Sequence, residues 1–222
     1  MKFYIYISDA KVDMLYSQIP QKLKSKLAAE LKIDLKVLSA SVKQEKSQET
    51  RYSKLKIIVD YIEKNMDIGT VDNPGAYFKG SMPVKWGPYG MDEPIVYFGG
   101  RTKKTILGLG GSLHHVIGRD TGEHVHSSSV TPYLLAVLNN ELELPPPMDM
   151  EISGLSMEEM IPGALDAVAI ATERLKGPEQ RVEFLAKRLL YLSGANTGEK
   201  DWRRPNNESV LLGTPIYVAL AD

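Results

Sequence analysis

All four histidines of this 222-residue chain, His114, His115, His124 and His126, fall in one stretch that follows Gly108-Leu109-Gly110-Gly111-Ser112. A glycine-rich turn leaves backbone N–H groups free to face an anion, and imidazoles beside it can move protons or bind a metal. The run therefore predicts ligand contacts from Gly108, Gly110, Gly111 and Ser112, with His114 or His115 as a catalytic acid–base group on a bound phosphate. On an extended segment these two histidines point opposite ways, so only one looks into the site. His124 and His126 share a face on such a segment and, with Asp120 or Glu123, form a candidate zinc-type metal site. The run lacks both G-x-G-x-x-G spacing and a Walker lysine, so the dinucleotide and P-loop patterns fail. Its alternative explanation is structural: glycines that allow tight strand pairing beneath an aromatic neighbour.

Ser8, Asp9 and Lys11 form a second candidate ligand rim, where a first strand gives way to a helix. Ser8 or Asp9 can exchange hydrogen bonds with a ligand and Lys11 can meet an anion; otherwise Asp9 caps the helix and Lys11 is solvated. Trp86 and Trp202 could stack on a base but read better as loop anchors. Lys187-Arg188 reads as the solvated face of a helix, with a basic pair there able to meet a phosphate as the alternative. Ser112 and Ser127-Ser128-Ser129 lack the nucleophile-elbow pattern, which disfavours a serine hydrolase.

The elements that must position these residues begin with a strand at Phe3–Ile7. Val12, Leu15, Tyr16 and Ile19 then recur at helical spacing, continued beyond Pro20 by Leu23, Leu27 and Leu31. Leu35–Val42 reads as a second strand, and Leu55, Ile58, Val59 and Ile62 as one face of a further helix. Residues 74–111 predict short strands at Ala76–Phe78, Val84–Trp86, Ile95–Phe98 and Thr105–Leu107 in an antiparallel meander, with a hairpin loop at Gly99–Lys103. Helices are expected over Pro132–Leu142, Met157–Leu175 and Glu179–Leu192, with a stiff Pro145-Pro146-Pro147 connector and a polar loop over Gly194–Asn207. A last strand around Gly213-Thr214-Pro215, apolar on both faces, returns to the centre of the sheet. The expected fold is one α/β domain over residues 1–222 with a mixed, Rossmann-like sheet.

Composition sets the outer bounds. A net charge of -1 gives no global pull toward duplex nucleic acid or an anionic membrane. The absence of cysteine removes disulfides, thiolate metal ligands and a cysteine nucleophile, and fits a reducing cytoplasm. The opening meets acid at Asp9 and Asp13, unlike a secretory signal, and no window has the apolar length of a membrane span.

The segments Tyr6-Ile7-Ser8-Asp9-Ala10-Lys11-Val12-Asp13-Met14-Leu15, Val96-Tyr97-Phe98-Gly99-Gly100, Gly108-Leu109-Gly110-Gly111-Ser112, Phe184-Leu185-Ala186-Lys187-Arg188 and Gly213-Thr214-Pro215-Ile216-Tyr217-Val218-Ala219 resemble a bacterial protein family of unknown function over most of the chain. That resemblance implies a bacterial, cytoplasmic protein and carries no activity, cofactor or catalytic residue. A strand-end serine near a lysine is similar, at fold level only, to CRISPR-associated nucleotide-binding Rossmann domains that sense or cleave cyclic oligonucleotides.

Together these features predict a protein, able to form a homodimer, that binds a small phosphorylated or nucleotide-like ligand between the end of the first strand and the glycine-rich run, as a cyclic-nucleotide sensor or a phosphodiesterase-type enzyme. The alternatives are a metal-dependent hydrolase centred on the histidines and a protein-interaction module without a small ligand.

Overall fold

The computed structural model describes residues 2–33, 44–90, 95–119, 134, 137–138, 157–194 and 208–221, with side chains from Arg51 and Asp166 onward in the helices that contain them. The first strand, β1 (Phe3–Ile7), forms where the sequence expects it and runs directly into α1 (Asp9–Gln18). Ser8 holds the N-cap position and Asp9 lies in the first turn, where its charge suits the positive end of the helix dipole. Pro20 cannot continue a helix, so the expected single run splits and α2 (Gln21–Glu30) starts afresh. The stripe at Leu55, Ile58 and Ile62 belongs to α3 (Gln44–Asn65). The expected strand at Leu35–Val42 lies outside the described residues.

Six more strands follow: β2 (Ile68–Gly69), β3 (Tyr77–Tyr89), β4 (Ile95–Arg101), β5 (Thr105–Ser112), β6 (Gln180–Leu192) and β7 (Ser209–Leu220), with α4 (Met157–Arg174) between β5 and β6. The antiparallel meander is present as β3-β4-β5. Its first two expected strands are one long strand, because residues 77–84 pair with β6 and residues 85–89 with β4. Pro83 falls near that change of partner, a place where a missing donor is tolerated.

The expected helix at Glu179–Leu192 is a strand, β6, paired with β3 on one side and β7 on the other. Val182, Phe184 and Ala186 point into one core while Leu185 packs into another, so the segment is apolar on both faces and shows no clean alternation. Burial between two neighbouring strands overrides the helical preference of its Leu, Lys, Arg and Ala.

The Rossmann-like expectation also fails. The strands β7, β5, β4, β3 and β6 pair in a closed cycle, a five-stranded barrel to which β1 and β2 are appended. Among the described residues only β5–β7 and β2–β3 are parallel pairs, whereas a doubly wound sheet needs parallel strands linked by crossover helices. As expected, the last strand is central: β7 takes β6 along one edge, and along the other β5 at Ser209–Gly213 and β1 at Tyr217–Leu220.

The strand period of two sorts side chains into separate cores. Met82, Val84, Val96, Phe98, Leu107, Leu109, Val182, Phe184 and Leu211 fill the barrel. Outward residues of β1, β6 and β7 meet Val12, Leu27, Leu55, Ile58 and Ile62 of the first three helices. Outward residues of β4, β5 and β7 meet Ala167, Val168 and Ala171 of α4, together with Leu134 and Leu138. These two lie within the helix expected at Pro132–Leu142, and both are helical.

Candidate functional site at the end of the first strand

The backbone sets this site. The Ser8 N–H donates to Ile216 O at 3.0 Å, closing the last rung against β7, and the Ser8 carbonyl accepts from Val12 N–H at 2.9 Å, opening α1. Ser8 is 1% exposed and its hydroxyl does not cap the helix; it accepts instead from Lys11 Nζ at 3.3 Å. No carboxylate pairs with Lys11 among the described residues, and burial pushes its ammonium down to about 8.

The barrel delivers the second group. Beyond β5 the chain makes a short 3-10 turn at Leu113–His115, in which Ser112 Oγ accepts the His114 N–H at 3.4 Å. The chain then runs beside the outer edge of β1, with Val116 bridged to Tyr6 and Ile117 N–H donating to Ile5 O at 3.0 Å. This return sets His115 against Asp9, with Nδ1 3.7 Å from Oδ2, while the imidazole meets the Tyr6 ring edge-on at 6.0 Å. The side chain of His115 is 12% exposed, whereas His114 lies on the exposed surface. The two residues sit on a tight turn, not on the extended segment expected, so their rings stay within edge contact of each other, centroids 5.6 Å apart, and differ in exposure instead of pointing opposite ways.

The third contributor is Arg51 of α3. Its Nη2 donates to the Ile7 carbonyl at 2.9 Å and its Nε pairs with Asp9 Oδ1 at 2.5 Å. Tyr6 completes the floor; burial pushes its phenol above the ordinary tyrosine range, so it stays neutral. Asp9 therefore meets Arg51 and His115, while Lys11 meets the Ser8 hydroxyl on the same strand-to-helix junction.

The glycine-rich run is not a turn. It is the interior of β5, buried throughout and paired with β4 along its length. Its glycines admit neighbouring side chains: a Cβ on Gly108 would stand 2.2 Å from the Tyr97 hydroxyl, and one on Gly111 would stand 2.4 Å from the Tyr6 hydroxyl. Gly110 is crowded by Leu134 in the same way. Close packing, not an open cradle, accounts for their composition. Of that segment, Ser112 reaches the site's edge, since its backbone lies by the Tyr6 hydroxyl.

Ser8, Asp9, Lys11 and His115, singled out in two separate segments, are therefore brought together. Arg51 and Tyr6 are additions. Arg51 had a readable signal, for it lies four residues before Leu55 and seven before Ile58 and so shares the buried face of α3. His124 and His126, with Asp120 and Glu123, lie outside the described residues, as do the triple proline and Trp202. No group of three metal-ligating side chains occurs among the described residues.

A groove of about 730 Å³ lies beside these residues, walled by Tyr4, Tyr52, Leu55, Val59, Ile117 and Tyr217 together with the charged Lys2, Lys56, Asp60 and Glu63. The Tyr4 ring lies 5.6 Å from both Tyr52 and Tyr217. Tyr52 follows Arg51 in sequence and Ile117 lies two residues past His115, so groove and polar cluster share two walls.

Fold and cluster together define an α/β protein in which a closed five-stranded barrel carries a cationic site at the end of an appended strand. The chain belongs to the family of unknown function DUF7019, whose model matches residues 2–222. No curated protein and no solved structure matches it. Among the described residues no helix is long and apolar enough to cross a membrane.

Proposed function

We propose that the protein binds a small phosphorylated, nucleotide-like ligand, with the phosphate at Lys11, Arg51 and His115 and the organic part along the tyrosine-walled groove. The observation that carries this reading is Lys11, a half-buried cation that meets the Ser8 hydroxyl and no carboxylate among the described residues. Leaving it so is costly without a compensating anion, and clefts built this way concentrate at binding sites. Arg51 adds a planar donor array suited to phosphate. Tyr4 and Ile7 are three residues apart on β1, about 10 Å at the ordinary strand rise, which is the scale of a mononucleotide. A cyclic nucleotide is a natural member of this class, and with His115 near the phosphate the site has a group able to move a proton.

Titration calorimetry with inorganic phosphate, mononucleotides and cyclic mono- and dinucleotides tests the reading. Arg51→Ala should weaken every phosphate-bearing ligand at least about tenfold, the scale of one lost charged hydrogen bond. Tyr52→Ala should weaken nucleotides and leave inorganic phosphate unchanged. Failure of the whole panel to bind at millimolar concentration would sink the proposal.

A further inference from the structure

Resting on that reading, we infer that the ligand class extends to phosphorylated aldehydes or ketones, and that Lys11 condenses with their carbonyl carbon to form an imine. Two groups in the site could act as nucleophile, and burial separates them. Ser8 is 1% exposed, so its hydroxyl is closed to an incoming carbon. Lys11 is partly exposed, with its amine at the end of a flexible stem. The 3.3 Å contact from Nζ to Ser8 Oγ fixes that amine at the strand end without a carboxylate to hold it as ammonium.

The chemistry needs an uncharged amine and a means of moving protons. The amine nitrogen bonds to the carbonyl carbon, and one amine proton passes to the carbonyl oxygen, giving a carbinolamine. The second amine proton then joins that hydroxyl, which leaves as water, and a carbon–nitrogen double bond remains. For this ligand class the Lys11 amine faces the carbonyl carbon instead of the phosphate, the Ser8 hydroxyl relays the proton at the nitrogen, and Arg51 and His115 alone hold the phosphate. Lowering a lysine from 10.5 to about 8 raises its free-amine fraction at pH 7 by about 300-fold.

The probe is pyridoxal 5′-phosphate at substoichiometric amounts, reduced with borohydride and mapped by peptide mass spectrometry on the full chain, with pyridoxal and inorganic phosphate in parallel arms. Lys11 should be labelled at least tenfold faster than the exposed Lys22 and Lys103, the label should fall with added phosphate, and Lys11→Arg should abolish it. Labelling of Lys11 no faster than those controls, in protein that binds phosphate by calorimetry, overturns the imine and leaves the anion site standing. Equally fast labelling of Lys11 by pyridoxal, untouched by phosphate, overturns the phosphorylated class and the anion reading with it.

Discussion

Arg51 reaches across from α3 to the last residue of β1, donating to the Ile7 carbonyl at 2.9 Å. The same guanidinium pairs with Asp9, so one side chain fastens a helix to both sides of the strand-to-helix junction that forms the site. A structural tie and a ligand contact therefore share one residue.

Truncating that tie should be felt in the absence of any ligand. Arg51→Ala is expected to lower unfolding free energy by about 1.5–3 kcal/mol, the range for a hydrogen bond from a charged group. Lys64→Ala, which removes surface pairs with Glu30 and Asp60, should cost clearly less, because solvent screens those charges. Urea denaturation of the two variants compares them directly, and equal losses would show that Arg51 is not a fastening.

The packing account of the glycine run predicts a coupled pair. Gly108→Ala should destabilise by about 1–3 kcal/mol through overpacking against the Tyr97 hydroxyl. Tyr97→Phe removes that oxygen and its contacts with Val168 O and Thr172 Oγ1, at a cost of about 1 kcal/mol. The double variant should be more stable than the sum of the two losses by at least about 0.5 kcal/mol. Strict additivity in thermal melts would place the clash elsewhere.

Lys11 gives stability a defined pH dependence. Its folded value of about 8 lies below the ordinary 10.5, so the unfolded chain binds the proton more tightly. The destabilising contribution is therefore fully present below pH 8, shrinks as pH rises from 8 to 10.5, and is absent above. Lys11→Met should be more stable than wild type at pH 7, by up to about 3 kcal/mol, and match it near pH 10.5. Denaturant titrations of both proteins across pH 6–10.5 provide the comparison, and a difference that does not change with pH would refute it.

Much of this architecture is readable from residue patterns, and its gaps have physical causes. The Phe3–Ile7 strand, the α3 stripe, the meander and the central position of β7 follow from periodicity and from which faces are apolar. The β6 segment escaped because Phe184, Leu185 and Ala186 are buried in succession, which breaks the alternation that marks strands and leaves helix-forming residue types as the local signal. Barrel closure depends on which strands pair, and no local pattern states that β3 and β7 share β6. At the site, Ser8, Asp9, Lys11 and His115 were visible as residue types, but the meeting of the two segments needed the return of Val116 and Ile117 along β1. Glycine spacing suggested an anion cradle because open turns and tightly packed strands make the same demand for a missing side chain.

The position of β7 also bears on how the chain comes to be folded during its synthesis. β1, β5 and β6 each depend on β7 for an edge, yet β7 leaves the ribosome after all three. Until it arrives, three strands carry unpaired backbone and the barrel stays open, with apolar faces such as Val182–Phe184 exposed to other nascent chains. Joining β1 to β7 brings together residues from the two ends of the sequence, as in the Phe3–Leu220 pair, so the decisive contact is among the least local in the molecule. Such a topology folds late and slowly, which makes the interval before β7 emerges the period in which a chaperone has most to protect.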